Sequence, residues 1–179
     1  LLLGSSEVAR SLATLAHFAG FNVTVASPAA DEIGFPRADQ VISSFEISDT
    51  TFSQPPLVVV ATQGKGDQAA LRTALGVDTP HRAFIASKRK ADKLKQMMID
   101  KGHDPKAVDA IVAPAGLDIG ARSPEEIAVS VLAALIAARH PQAAAPASVS
   151  PAAETGPAVE ADTSGSLTET GCCGGNKSA

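Results

Sequence analysis

Aromatic residues and cysteine are scarce in this chain of 179 residues. Trp and Tyr are absent, and all six Phe residues precede residue 85. The only two cysteines, Cys172 and Cys173, are adjacent, so the chain lacks the disulfide framework that stabilises many small secreted domains. We therefore expect a cytoplasmic protein, in which the 45 % of hydrophobic residues supply the core.

Long apolar runs and an excess of basic residues are also absent. No apolar run approaches the roughly 20 residues that a membrane-spanning helix requires, so we expect no membrane span. The formal net charge is -4, and residues 141–179, with four acids and one base, account for -3 of it. This charge balance does not favour nucleic acid as a partner.

The first 140 residues alternate between strand-like and helix-like patterns. Residues 1–3 are typical of the end of a buried strand, residues 7–19 of an amphipathic helix, and residues 21–26 of a second strand. Such a βαβ unit implies parallel strands. Residues 57–62 form the clearest buried strand, with five apolar residues, and residues 82–86 predict another. The pattern predicts one α/β domain over residues 1–140, with the first strand near the centre of a mainly parallel sheet.

The composition changes after His140. Residues 141–179 contain nine Ala and four Pro but no aromatic residue and no periodic apolar face, which predicts a disordered Ala/Pro-rich tail ending in GCCGG. One Cys-Cys pair lacks the four ligands of a structural zinc site, and the four His residues show no metal-ligand spacing. We predict no metal site. Cys172 and Cys173 remain candidate thiolates for a soft metal or a sulfur donor, with an unpartnered tail as the alternative.

The first turn is an incomplete dinucleotide-binding fingerprint. Gly4 fits the start of the G-x-G-x-x-G/A pattern, but Ser6 replaces the middle glycine and Glu7 adds negative charge. The second strand ends at Ser27, where an acid that binds a ribose is expected. These departures count against NAD(P) and favour a plain crossover turn. The candidates for ligand contact here are Gly4, Ser5 and Ser6.

A second candidate site follows the strand at residues 82–86. Ser87, Lys88 and Arg89 open a helix, where a hydroxyl, free backbone N–H groups and two cations can bind a phosphate. Cations at a helix start oppose the helix dipole, which is a local mismatch that a bound anion would relieve. The alternative is a solvated, Lys-rich helix face.

The most informative stretch is residues 113–126. Gly116 and Gly120 enclose a turn whose only acid is Asp118, and Ser123 with Glu126 forms a capping-box pattern for the final helix. Because residues 117 and 119 are apolar, we expect them to point to the core and Asp118 to point towards a crevice at the strand ends. The alternatives are an Asp118 that only stabilises its turn and a helix that is merely well capped.

The run APAGLDIGARSPEEIAVSVLAAL resembles the end of the Rossmann domain in the XdhC/CoxI family. Phe35-Pro36 and Ser87-Lys88-Arg89 add weaker similarity, so that the resemblance covers roughly residues 1–140. The family usually has a Gly-Ala-Gly-His-like turn where this chain has Gly4-Ser5-Ser6-Glu7. The resemblance implies a Rossmann-like open sheet with helices on both faces. It also implies that another domain precedes this one in the complete protein.

The XdhC/CoxI family matures molybdenum hydroxylases such as xanthine dehydrogenase and aerobic carbon monoxide dehydrogenase. The resemblance therefore implies a cofactor-binding chaperone, rather than a catalyst, that assists sulfuration, protection or insertion of molybdenum cofactor. The cofactor is a molybdopterin or its cytosine dinucleotide form. The implied partners are an apo-hydroxylase and a sulfur donor protein, and a homodimer is allowed. The implied ligand contacts are phosphate at Ser87, Lys88 and Arg89, pterin N–H groups at Asp118, and close backbone approach at Gly116 and Gly120.

Two functions of other classes stay open from the residues alone. One is an NAD(P)-dependent oxidoreductase, which would need dinucleotide binding at residues 4–9. The other is a non-catalytic interaction domain that docks on a partner enzyme without a ligand.

Overall fold

The computed structural model describes residues 1–48, 51–64 and 66–140, and these contain six strands and five helices. The strands are β1 Leu2–Leu3, β2 Thr24–Ala26, β3 Gln40–Ile42, β4 Val58–Val60, β5 Arg82–Phe84 and β6 Ile111–Val112. The helices are α1 Glu7–Phe18, α2 Asp67–Gly76, α3 Lys88–Asp100, α4 Pro105–Asp109 and α5 Pro124–Arg139. The predicted tail at 141–179, with Cys172 and Cys173, lies outside the described residues.

The six strands form one parallel sheet in the order β3-β2-β1-β4-β5-β6. The predicted central position of the first strand is confirmed, since Leu2 pairs with Val25 of β2 on one side and Val59 of β4 on the other. Because all strands run the same way, all of their carboxyl ends meet at one edge. The strand order reverses between β1 and β4, which is where such sheets open a crevice.

Helices cover both faces of the sheet, as the resemblance implies. Alternate side chains of a strand point to opposite faces, so Leu2 and Leu3 belong to two different core layers. The layer under α1 and α5 includes Val8, Leu12, Val25, Val59, Val131 and Leu135. The layer under α2, α3 and α4 includes Val58, Val60, Leu71, Phe84, Met98 and Val108. Burial on both faces explains why the central strands β1 and β4 are short apolar runs without polar alternation.

Serine N-caps fix the start of three helices at the carboxyl edge of the sheet. The hydroxyls of Ser6, Ser87 and Ser123 each accept from the backbone N–H three residues further on, at 3.2, 3.4 and 3.3 Å. The predicted capping box is confirmed, because Glu126 Oε2 accepts from Ser123 N at 3.0 Å. Each cap therefore fixes the residue at which the loop after a strand ends and the next helix begins.

The expectation that Leu117 and Ile119 point to the core is wrong. Their exposed fractions are 51 % and 55 %. They are not in a strand, because β6 ends at Val112 and the backbone has φ of +92° at Gly116 and +71° at Gly120. The two-residue periodicity of a strand therefore does not apply to this turn.

Within the described ranges, no helix is long and apolar enough to cross a membrane.

Candidate functional site

A pocket of about 660 Å³ opens where β5 and β6 end. Its wall comes from the β5–α3 loop, the turn between β6 and α5, and the first half of α5. Four of the nine residues predicted as ligand contacts meet in this wall, although they come from separate parts of the chain. These four are Ser87, Gly116, Asp118 and Gly120.

The turn of residues 113–120 is clamped between the sheet and α5. Ala115 N donates to Phe84 O of β5 at 3.2 Å, and Leu117 N donates to Ser130 O of α5 at 3.2 Å. A side chain at Gly116 would overlap with Ser130 Oγ, so only glycine lets the turn approach the helix this closely. The pocket wall is therefore a fixed surface rather than a loosely attached loop.

Asp118 is exposed on this wall. Among the residues that the structure describes, no hydrogen bond or ion pair involves its carboxylate. Aspartates that stabilise turns in this protein look different: Asp31 Oδ1 accepts from Gly34 N at 2.6 Å, and Asp104 Oδ1 accepts from Lys106 N at 3.1 Å. Asp118 makes no such turn bond, so both of its oxygens are available to a ligand.

Only one of the three residues of the predicted phosphate site lies in the pocket wall. Ser87 lines the pocket and caps α3, whereas Lys88 and Arg89 are exposed and are not part of the pocket wall. Lys88 Nζ lies 3.6 Å from Asp92 Oδ2 on the helix surface. The first N–H groups of α3 lack intrahelical carbonyl partners, and this end of the helix favours an anion.

The first turn lies apart from this pocket. Gly4, with φ of +132°, passes so close to the end of β4 that a side chain would overlap with Ala61 O. Ser5 Oγ accepts from Ser27 Oγ at 3.4 Å, and Ser6 caps α1. None of Gly4, Ser5 and Ser6 lines the pocket, and the hydroxyls of the two serines make hydrogen bonds within the fold.

A buried carboxylate that the sequence analysis did not select lies after β4. Asp67, the first residue of α2, accepts from Thr62 Oγ1 and from Gly64 N at 3.2 Å, and its Oδ2 lies 2.7 Å from Lys90 Nζ. Burial by itself would raise the pKa of Asp67, but the Lys90 ammonium and the two hydrogen bonds together hold it below its usual value of 3.8.

Lys90 therefore does not belong to a purely solvated, Lys-rich helix face. Its side chain is 36 % exposed, and its ammonium also lies 5.7 Å from the centre of the Phe84 ring. No spacing in the sequence could have indicated the pair with Asp67, because the two residues meet only through the adjacency of β4 and β5.

Within the described ranges, no group of three or more His, Cys, Asp or Glu residues could hold a metal ion.

The protein is thus a doubly wound, Rossmann-like α/β domain, with a pocket at the carboxyl edge of its sheet and a turn that carries Asp118 in the pocket wall. The chain belongs to the family described as the XdhC Rossmann domain, whose model matches residues 1–135. The resemblance to this family in residues 113–135 is thereby confirmed.

Three relatives extend the comparison. A Bacillus subtilis protein, named as a probable subunit of xanthine dehydrogenase, is 34 % identical over 146 residues, which are 78 % of this chain and 42 % of that protein. Escherichia coli YqeB is 28 % identical over 147 residues, 78 % of this chain and 27 % of its own length. A crystal structure described as a xanthine dehydrogenase from Bacillus halodurans superposes with a TM-score of 0.64 at 28 % identity, covering 81 % of this chain and 44 % of that one. The chain thus spans less than half the length of each of these relatives.

Proposed function

We propose that this domain is the cofactor-handling part of a maturation factor for a molybdenum hydroxylase of the xanthine dehydrogenase or carbon monoxide dehydrogenase type. Membership of the XdhC family and the names of two relatives support a connection with xanthine dehydrogenase. The observation that carries the proposal is the carboxylate of Asp118, which lies in the wall of a pocket at the carboxyl edge and has no partner among the residues that the structure describes. A charged acceptor without an internal role is what a ligand with N–H donors requires.

Molybdenum cofactor is the cargo in this proposal, and the residues present fit its chemistry. The pterin edge carries N–H donors, which suit Asp118. The phosphate or nucleotide end carries negative charge, which suits the α3 N-terminus at Ser87, with Lys88 and Arg89 as the nearest cations along the chain. Gly116 and Gly120 carry no side chains themselves, so a ligand could approach the backbone of this wall closely at those two positions.

Sulfuration of the cargo would need a thiol from elsewhere. Residues 1–140 contain no cysteine, so this domain has no side chain that could carry a persulfide. The domain is therefore proposed to hold and shield the cofactor while a sulfur donor protein modifies it and an apo-hydroxylase receives it. This is the role of a chaperone rather than of a catalyst.

No observation favours the NAD(P)-dependent alternative. Ser27, the residue after β2, is buried and hydrogen-bonded to Ser5, and the nearby Asp31 accepts a hydrogen bond within its own turn. Ser27 therefore offers no carboxylate to a ribose, and Asp31 has one of its two carboxylate oxygens committed to its turn. NADH titration is the direct test of that alternative.

The proposal is tested by activation of an apo-hydroxylase with the wild-type protein and with Asp118→Asn. The substitution keeps the shape of the side chain but removes a charged acceptor, which should weaken cofactor binding by about 1.5–3 kcal/mol, or roughly tenfold to a hundredfold. Asp109→Asn is the matched control, because Asp109 is also exposed and lies on α4 outside the pocket. Reduced activation by Asp118→Asn alone, at an unchanged melting temperature, supports the proposal. Equal activation by all three proteins removes Asp118 from the site.

A further inference from the structure

Leu117 and Ile119 are large apolar side chains that the fold leaves half-exposed on either side of Asp118 in the sequence. All three residues line the same pocket. The turn that carries them is held by Gly116 against α5 and by hydrogen bonds to both the sheet and the helix. Because the backbone is held in place, these two side chains stay exposed to water. A ligand that covers their apolar surface would remove it from water, which is favourable.

The rest of the pocket wall continues this apolar character. Ile85, Pro114 and Ile127 line it, and Ser130 Oγ already donates to Ile127 O at 3.1 Å. Among the described residues of the wall, Asp118 is therefore the one charged side chain. A mainly apolar wall with a few placed polar groups is typical of small-molecule sites, in which the polar groups fix the orientation of the ligand.

We propose that Leu117 and Ile119 contact the faces of a flat heterocycle while Asp118 binds an edge with two adjacent N–H donors, such as the amino-pyrimidinone edge of a pterin. The inference rests on the proposed function and narrows it, because it assigns the ring end of the cargo to this turn. A carboxylate can accept two parallel N–H groups, and this geometry is both stronger and more selective than a single bond. Apolar side chains beside it exclude water and strengthen that interaction.

Two small probes separate the edge contact from the face contact. Pterin carries the amino group and the adjacent ring N–H, whereas lumazine has the same ring system with an oxo group in place of the amino group. Both are fluorescent, and the chain contains no Trp or Tyr to interfere. Titration of the full 179-residue chain with each probe gives two dissociation constants and their ratio.

The wild-type protein should bind pterin on the order of tenfold more tightly than lumazine, since one charge-assisted hydrogen bond differs. Asp118→Asn should bring the two affinities close together. Leu117→Ser combined with Ile119→Ser should weaken both probes by a similar factor and keep their ratio. Val129→Ser is the matched control, because Val129 is 48 % exposed on α5 and does not line the pocket.

Equal binding of pterin and lumazine by the wild-type protein would overturn the inference. So would a double serine variant that binds both probes like the wild type but changes its oligomeric state, since Leu117 and Ile119 would then belong to a protein interface. The proposed function can fail independently of this inference. Pterin binding without any activation of an apo-hydroxylase would reject the proposed function, whereas the assignment of ring binding to this turn would stand. Activation of an apo-hydroxylase by a protein that binds pterin and lumazine equally would reject the inference about the turn and leave the proposed function standing.

Discussion

The ion pair between Asp67 and Lys90 should be a main stabilising contact of the carboxyl edge. It joins the start of α2 to the first turn of α3, and Asp67 also orders the loop after β4 through Thr62 and Gly64. We expect Asp67→Ala to lower the free energy of unfolding by about 3 kcal/mol. Removing one partner of a buried pair costs about 3–5 kcal/mol, and the lower end applies because water reaches Lys90.

A double-mutant cycle separates the pair from the other contacts of Asp67. Lys90→Met should cost about 2 kcal/mol, because it leaves a buried carboxylate with only Thr62 and Gly64 as donors. The double variant should lose less than the sum of the two, by about 1–2 kcal/mol. Urea unfolding followed by far-UV circular dichroism at neutral pH measures all four proteins. Additive losses would refute the coupling of the two side chains.

The pH dependence gives an independent check. Since the pKa of Asp67 in the folded protein lies below its usual 3.8, its contribution is fully present above that value. The contribution is lost as the pH falls from there through the lower pKa of the folded state. The stability difference between wild type and Asp67→Ala should therefore shrink on acidification below about pH 4. A difference that stays constant down to pH 3 would show that charge is not its source.

Three further substitutions have expected outcomes. Gly4→Ala should destabilise the domain by more than about 2 kcal/mol in urea unfolding, because φ is +132° and the new methyl group would overlap with Ala61 O. Ser123→Ala should cost about 1 kcal/mol in the same assay through loss of the α5 cap, and Ser123→Gly should recover most of that loss. Lys88→Ala combined with Arg89→Ala should weaken binding of a phosphorylated ligand in calorimetric titration while the melting temperature stays unchanged, since both side chains are exposed. Unchanged affinity would assign them to the solvated helix face.

Much of the architecture could be predicted from local sequence. The apolar runs at β1, β2 and β4 and the periodic helix between β1 and β2 imply a parallel sheet, because parallel strands need a crossover connection, which is usually a helix. The Ser123-Pro124-Glu125-Glu126 pattern defines the start of α5, because capping depends only on residues three apart. These are short-range requirements, and a sequence displays them directly.

The tertiary structure alone decided which of the candidate residues meet. Ser87 and Asp118 line one pocket because β5 and β6 are neighbours in the sheet, whereas the turn at Gly4 follows β1, which pairs with β2 and β4. The same adjacency of strands pairs Asp67 with Lys90. Strand order depends on how the whole chain packs, so no local pattern encodes it.

The turn between Gly116 and Gly120 shows the same limit on a smaller scale. Alternation of apolar and polar residues predicted that Leu117 and Ile119 are buried, but that periodicity holds only for an extended strand. The left-handed backbone at the two glycines and the close contact with Ser130 carry the turn out to the edge of the pocket. The sequence by itself determined that a glycine turn with one acid is present. Packing against α5 determined that its apolar side chains face outward, because the contact with Ser130 fixes the path of the backbone.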